Sequence, residues 1–429
     1  MTAAVLKRLA VLLTTTLVTS VAAAPAAAAP ASAELGWFVT ESVGGTPVPP
    51  DAPPQTNSAL PRSTDRAIAS AEDELKEVCR SEHAEAAATQ EGWLADRFSR
   101  CHIGHRKVEL RCAGCTTVVA SVEFDYTLIG VAQNGTRRVD FTLTFDNWTA
   151  LGGQERETTP MRVDLSGCSS GLVTCSPGSG AREQLLSAWR LDPRFDITMT
   201  SVDNTGIGAE YLVNSLVELN MAITPVDPKT VPWVESDMTR AHVRFDSAGQ
   251  VAGKHNGTVF SDFIPTFDLL ALARADGNEQ GVRESIQHID DALHRVERTF
   301  PSFPLKTPPG EFKPSLGANQ RPLHRLVDST LLDRNRAYAG KVCEDVWGPG
   351  AATPNLNCDE FPFASTREGA YTGSSASNGD TNGWQTWHGS SRLIGELDNQ
   401  ESGRRYLNLG FYQPQRILNN DPFFVSIDR

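Results

Sequence analysis

Two features are scarce in this chain, and each scarcity excludes a class of protein. Beyond residue 33, no hydrophobic run is long enough to span a bilayer. Positive charge is also low, because 39 Lys and Arg stand against 52 Asp and Glu and the formal net charge is −13. Such an acidic balance does not fit a histone-like protein that coats DNA with a basic surface. It leaves room for enzymes whose sites are built from carboxylates.

Acidic residues are absent from the first 33 positions. Lys7 and Arg8 precede an apolar run over residues 9–21, and small residues follow. This order predicts a secretory signal peptide over residues 1–33, cleaved near Ala33 or, less favourably because of the following proline, near Ala29. A membrane anchor is the alternative. Cleavage would remove the two cations and take the formal charge from −13 to −15.

The eight cysteines predict disulfides in a secreted chain. Their clustering favours two local bridges, Cys168–Cys175 and Cys343–Cys358. The pairing within a second set stays open: Cys79, Cys101, Cys112 and Cys115. The alternative for part of this set is a tetrahedral zinc site that also uses His102 and His105. Secretion favours disulfides, since oxidised cysteines are poor zinc ligands.

The first two thirds of the chain predict a linker followed by a β-rich domain. Residues 34–65 are rich in proline and predict an extended linker. A helix is expected from residue 66, and alternating apolar runs around Asn134-Gly135 predict a hairpin. Further strand-like runs are expected at 195–202, 213–224, 240–246 and 258–264. Residues 66–300 are therefore predicted to be an antiparallel, sandwich-like β domain with flanking helices.

The last third predicts a helix, a second linker and a small domain. Apolar residues recur on one face over residues 281–298, which places His288 and His294 at the surface or rim of an amphipathic helix. Prolines over 301–320 predict a linker. Residues 321–429 then form a compact α+β domain, so the whole chain is expected to be an α+β multidomain protein.

Residues 358–369, with the sequence CDEFPFASTREG, concentrate acids within an apolar, turn-rich frame. Asp359, Glu360 and Glu368 are carboxylates at a spacing that can hold a divalent metal and polarise water. Phe361 and Phe363 require burial, so acids in this packed segment require partners. The alternative is a solvated turn whose acids face water.

A serine nucleophile is the competing interpretation of the C-terminal region. Ser374, Ser375 and Ser390 lie near His388, but residues 372–391 contain no Gly-X-Ser-X-Gly elbow. Their Gly, Ser, Asn and Thr content favours a loop. Two aromatic side chains in this loop either stack on a ligand or anchor the loop on the core: Trp384 and Trp387.

Residues 358–369 resemble the signature of the NucA/NucB deoxyribonuclease domain, a family of small secreted bacterial nucleases. The order of segments from about 321 to 429 also fits, with Asn335-Arg336 upstream and residues 398–403 downstream. Two departures stand out. Ala370 follows Gly369 where the family commonly has a second glycine, and the loop at 372–391 resembles an insertion.

The resemblance implies a metal-dependent DNase with a site similar to that of the ββα-metal nucleases. Asp359, Glu360, Glu368 and Asn399 are then the expected catalytic residues. Of these, Asp359, Glu368 and Asn399 are expected to hold Mg²⁺ or Mn²⁺. Arg336 and Arg367 are expected to contact phosphate. His324 is an alternative candidate for the general base.

The expected function is hydrolysis of DNA phosphodiester bonds with little sequence preference, by a secreted endonuclease. The main alternative is a binding protein whose β-rich region recognises a cell-wall or protein partner and whose nuclease domain is degenerate. A toxin-like effector, in which the N-terminal region delivers the nuclease, is a third possibility. The unbroken acidic block favours the enzyme.

Overall fold

The computed structural model describes residues 34–57, 68–168 and 171–428. The predicted signal peptide lies outside these residues. Within the described part of the chain, no helix is both long and apolar enough to cross a membrane. The fold is α+β, with mainly antiparallel sheets and few long helices.

Strands dominate the first two thirds of the chain, and the longer helices lie in the last third. The strands are β1 (Leu35–Val43), β2 (Thr56–Asn57), β3 (Trp93–Asp96), β4 (Ser99–Cys112), β5 (Ala120–Ala132), β6 (Arg138–Leu151), β7 (Pro160–Leu165), β8 (Val173–Ser176), β9 (Ala181–Leu185), β10 (Arg194–Ser201), β11 (Val213–Ile223), β12 (Trp233–Glu235), β13 (Arg240–Asp246), β14 (Gly257–Phe260), β15 (Ile264–Asp268), β16 (Leu323–His324), β17 (Leu356–Phe361), β18 (Ser390–Gly395) and β19 (Pro422–Ser426). The α-helices are α1 (Ile68–Glu82), α2 (Ala84–Ala87), α3 (Glu155–Thr158), α4 (Leu186–Trp189), α5 (Gly249–Ala252), α6 (Leu269–Ala275), α7 (Arg283–His294), α8 (Ser329–Trp347) and α9 (Glu396–Glu401). A π-helix, Ser402–Tyr412, follows α9 directly.

The β-rich region consists of two antiparallel sheets. One sheet has the strand order β1-β4-β5-β6-β10-β8, with β3 paired to β4, and the other has β14-β13-β11-β7-β9, with β12 paired to β11. Alternate residues of both sheets join one buried hydrophobic cluster, which includes Phe124 of β5 and Leu219 of β11. The strands on either side of Asn134-Gly135 pair as antiparallel neighbours, as the hairpin prediction required.

The predicted linker over residues 34–65 is wrong at its start. Residues 35–43 form β1, an edge strand that pairs with β4 through most of its length. Trp37 is 2% exposed and belongs to the hydrophobic cluster of the two sheets. The proline content after residue 46 masked this strand, because the alternation that marks it covers only a few residues. Residues 58–65 lie outside the described part of the chain.

The predicted boundary at 301–320 does not separate two hydrophobic cores. A four-stranded sheet has the order β16-β19-β15-β2, and within it β15 pairs in parallel with β19. Phe267 and Ile289 from before the boundary share one buried cluster with Phe361 and Phe423 from after it. The unit that contains the C-terminal strands therefore begins at about residue 264.

Residues 301–320 pack against this unit instead of crossing solvent. The carbonyl of Gly310 accepts a hydrogen bond from the amide of Val425 at 2.8 Å, and Phe312 meets Phe424 edge to face. Lys306 is buried, and its ammonium donates to Thr299 Oγ1 at 2.7 Å. Proline here ends a helix, as expected, but the chain after it is held by the core.

The cysteines pair as four disulfides. Cys168–Cys175 and Cys343–Cys358 are the two bridges predicted from spacing. The second set resolves into Cys79–Cys101 and Cys112–Cys115, which removes the zinc alternative. The two histidines of that alternative instead hydrogen bond within the sheet, His102 to Tyr126 and His105 to Asp125.

Candidate active site

Two antiparallel strands followed by a helix carry the predicted site. β17 pairs with β18, so that Asp359 lies opposite Arg392 and Glu360 opposite Ser391. α9 begins at Glu396, directly after β18 ends at Gly395. The disulfide between Cys358 and Cys343 ties β17 to α8 immediately before Asp359. β17 is thus fixed to β18 by hydrogen bonds and to α8 by a covalent bond, and α9 continues directly from β18.

A cavity of about 920 Å³ opens beside these elements, and four of the predicted site residues line it. These are Asp359, Glu360, Asn399 and Arg336. Arg336 extends from α8 and also contacts Asp333 at 3.1 Å. The cavity further includes aromatic and basic side chains, among them Phe363, Tyr412 and Arg404. Carboxylates, an amide and guanidinium groups therefore meet in one concave space.

Asp359 is 8% exposed and engages a histidine that the sequence analysis placed at the surface. Its Oδ2 lies 2.7 Å from Nδ1 of His288, which is fully buried on α7. The prediction for His288 was wrong because the helix is covered on this side by β17 and β18. His294, by contrast, is 42% exposed at the side chain and contacts Asp290 at 2.9 Å.

Glu360 has a strongly altered acidity. Burial, and then the neighbouring Asp359 carboxylate, raise the pKa of Glu360 to about 7, although Arg336 opposes this change. The amide of Ala364 donates to Glu360 Oε1 at 3.3 Å. A carboxyl group with this pKa can both accept and donate a proton near neutral pH, which suits an acid–base role.

Glu368, the third predicted metal ligand, pairs with a histidine. It does not line the cavity, and both of its oxygens accept hydrogen bonds from His324, one from the backbone amide and one from the ring, each at 2.9 Å. His324 is likewise outside the cavity. Arg367 is exposed and does not line the cavity either. The cavity lining thus includes Asp359, Glu360, Asn399 and Arg336 but not Glu368, His324 or Arg367.

A buried asparagine shapes the turn between Phe361 and the following loop. Asn335 of α8 donates to the carbonyl of Ala364 at 2.8 Å and accepts from the amide of Thr372 at 2.9 Å. A Cβ added to Gly369 would lie 2.4 Å from the Asn335 amide, so the chain requires glycine there. The following Ala370 is 1% exposed, so the second glycine typical of the resembled signature is replaced here by a packed methyl group.

The tryptophans of the loop at 372–391 are anchors. Trp384 and Trp387 are 8% and 1% exposed and share a buried cluster with Val342 of α8. Trp387 also donates its indole N–H to the carbonyl of Glu368 at 2.8 Å. The expected pairing of Ser390 with His388 does not form, because Ser390 Oγ contacts His288 instead, and Ser390 is only 1% exposed.

Residues 328–426 match the family model described as deoxyribonuclease NucA/NucB. The matched region contains β17, β18, α9 and every cavity residue predicted from the sequence. It does not contain α7 or β15, which complete the same hydrophobic core. Comparison with curated proteins and with solved structures gave no significant match.

The NucA/NucB region offers oxygen donors of the kind that suit a hydrated divalent cation. In the described part of the chain, no three His, Cys, Asp or Glu side chains are grouped closely enough to hold a metal by themselves. Asp359, Glu360 and the amide of Asn399 nevertheless line one cavity. Mg²⁺ keeps several waters and needs only one or two carboxylates besides phosphate oxygens, so this donor set fits it.

Proposed function

We propose that this protein is a secreted, metal-dependent endonuclease that hydrolyses DNA phosphodiester bonds. The observation that carries the proposal is that Asp359, Glu360, Asn399 and Arg336 line one cavity inside the NucA/NucB region. Phosphodiester hydrolysis requires an activated water, neutralisation of charge on the phosphate and a proton for the leaving oxygen. The four side chains supply groups for each requirement.

The proposed roles follow from position and chemistry. Asp359 and Asn399 hold a hydrated Mg²⁺ or Mn²⁺, which supplies Lewis acidity when bound. Glu360, whose pKa lies near neutrality, transfers a proton at its carboxylate. Arg336 pairs with phosphate oxygens through its planar guanidinium. Glu368 accepts one hydrogen bond from His324 on each oxygen and keeps further lone pairs, so it stays the predicted further metal ligand although it does not line this cavity.

Plasmid cleavage tests the proposal directly. The full chain, incubated with supercoiled DNA, should produce nicked and then linear products with Mg²⁺ or Mn²⁺ and none with EDTA. Asp359→Asn should lower the rate by about 10²- to 10⁴-fold, the range expected for loss of a group at the reacting centre. Asp345→Asn is the matched control, since Asp345 is exposed on α8 and does not line the cavity. Equal cleavage by wild type and Asp359→Asn would refute the site.

The same assay separates the enzyme from the binding alternative. A degenerate nuclease domain predicts intact DNA under every metal condition, with a folded protein by circular dichroism. A parallel incubation with single-stranded RNA shows whether hydrolysis is restricted to DNA.

Secretion is proposed from the N-terminal pattern and is consistent with the four disulfides. N-terminal sequencing of protein collected from the culture medium should begin at Glu34. A protein retained in the cell with Met1 intact would contradict this part of the proposal.

A further inference from the structure

His288 contacts both strands of the candidate site, although it lies outside the NucA/NucB match. Its ring is 0% exposed. Nδ1 lies 2.7 Å from Oδ2 of Asp359 on β17, and Nε2 lies 2.8 Å from Oγ of Ser390 on β18. Because an ionised carboxylate only accepts hydrogen bonds, Nδ1 is the donor in the first contact. The ring is therefore fixed at both nitrogens by residues of the site.

The helix that carries His288 is itself attached to these elements. The carboxylate of Asp398 on α9 accepts from the amides of Glu284 and Ser285, at 2.8 and 3.0 Å, in the first turn of α7. Glu284 in turn accepts from the amide of Gly395 at 2.7 Å. The position of the imidazole is thus set by contacts at the junction of β18 and α9.

A third contact joins the middle of α7 to the strand opposite Asp359. Asp291 accepts a hydrogen bond from Arg392 at 2.7 Å, and Arg392 is the register partner of Asp359. Burial by itself would raise the pKa of Asp291, but its pairs with Arg392 and Arg295 outweigh burial and lower the pKa. α7 is therefore joined to β18 through Asp291, in addition to the contacts that His288 makes with β17 and β18.

We propose that His288 is a positioning residue that fixes the Asp359 carboxylate in its cavity-facing orientation. The inference rests on the proposed function and adds a residue from outside the family match. His288 uses one oxygen of Asp359, so the other, Oδ1, is the oxygen that would hold a cation. Displacement of a reacting group by about 1 Å is enough to cost about 100-fold in rate, so a fixed side-chain orientation matters for turnover.

Two substitutions of similar size distinguish positioning from mere support of the fold. In His288→Asn, the side-chain amide nitrogen replaces Nδ1 and can still donate to Asp359. In His288→Gln, the amide reaches the place of Nε2 and can contact Ser390, but the donor to Asp359 is lost. We expect kcat of His288→Gln to fall about 100-fold with KM within about threefold, and kcat of His288→Asn to stay within about tenfold of wild type.

Crystal structures of both variants provide a readout that does not depend on activity. Asp359 should keep its side-chain orientation in His288→Asn and change it in His288→Gln. Ser390→Ala removes a single oxygen and retains the contact to Asp359, so it should fold and keep the Asp359 orientation, with kcat reduced less than tenfold.

The outcomes separate this inference from the proposed function. Equal losses of kcat in His288→Asn and His288→Gln, or an unchanged Asp359 orientation in His288→Gln, would overturn the positioning role. Wild-type protein that cuts no DNA with any metal would refute the nuclease proposal, whereas the Asp359 orientations in the two variants would still decide for or against positioning.

Discussion

Replacement of Asp421 by Asn should destabilise the whole protein, because this residue joins the β-rich region to the C-terminal unit. Asp421 contacts Arg97 at 2.8 Å and Arg244 at 2.6 Å. The two arginine side chains are only 2% and 5% exposed. Both guanidinium groups also donate to the carbonyl of Arg416. The substitution would remove the anion that both buried guanidinium groups contact and leave Arg244 only the more distant Asp246, at 3.8 Å.

The magnitude follows from the acidity of Asp421. Burial by itself would raise its pKa, but Arg244 and Arg97 outweigh burial and lower the pKa from 3.8 to about 2. At about 1.36 kcal/mol for each pKa unit, this lowering corresponds to roughly 2 kcal/mol of stability from the ionised form. Loss of one partner from a buried ion pair costs about 3–5 kcal/mol. We therefore expect Asp421→Asn to lower the free energy of unfolding by about 3 kcal/mol at pH 7.

Urea unfolding at several pH values is the assay. Since the folded-state pKa is depressed, the stabilisation is complete above pH of about 4 and is lost as pH falls toward about 2. The difference between wild type and Asp421→Asn should therefore narrow over this window. Glu297→Gln is the control, because it removes an exposed pair with Arg298 that is 3.9 Å apart. A loss below about 1 kcal/mol at pH 7, or a difference independent of pH, would refute the reasoning.

Three further predictions concern the C-terminal unit. Residues 321–429 expressed alone should lack cooperative unfolding and cut no DNA, whereas residues 264–428 should fold. The reason is that the buried cluster includes side chains from before residue 300. A cooperative unfolding transition in the shorter fragment would contradict this prediction. Burial lowers the pKa of the Lys306 amine to about 7. The melting temperature of the wild type should therefore rise between pH 7 and pH 10, and Lys306→Met should flatten that rise. Equal slopes of melting temperature against pH for the two proteins would contradict this prediction. Replacing Cys343 and Cys358 together by Ser should lower the free energy of unfolding by about 3 kcal/mol for a loop of this length and reduce DNA cleavage. A reducing agent should change the wild type in the same direction. Unchanged unfolding and cleavage would show that the bridge is dispensable.

Local patterns in the sequence predicted local structure well. The alternation around Asn134-Gly135 specified β5 and β6, since side-chain direction and turn geometry depend on neighbouring residues. The strand-like runs at 195–202, 213–224 and 240–246 correspond to β10, β11 and β13. Cysteines a few residues apart likewise paired as expected.

Contacts between segments that are distant in the chain could not be predicted from the sequence. His288 and Asp359 are separated by 71 residues, and an amphipathic helix with a histidine near its edge has the same local pattern whether or not a strand covers it. The prolines at 301–320 predict a linker because proline interrupts regular secondary structure. Proline does not, however, prevent a segment from packing against a core. The sequence likewise did not predict that the carboxylate of Glu368 pairs with His324, which lies 44 residues away.

The strand order of the C-terminal unit has a consequence for biosynthesis. β19, which ends at Ser426, is an inner strand between β15 and β16. The sheet therefore stays open until residues 422–426 have left the ribosome, and the C-terminal unit of the newly made polypeptide lacks a closed core until then. A chain stopped just before Pro422 should remain sensitive to protease. For the proposed nuclease, this order would keep the C-terminal unit inactive during synthesis, next to the genome that encodes it.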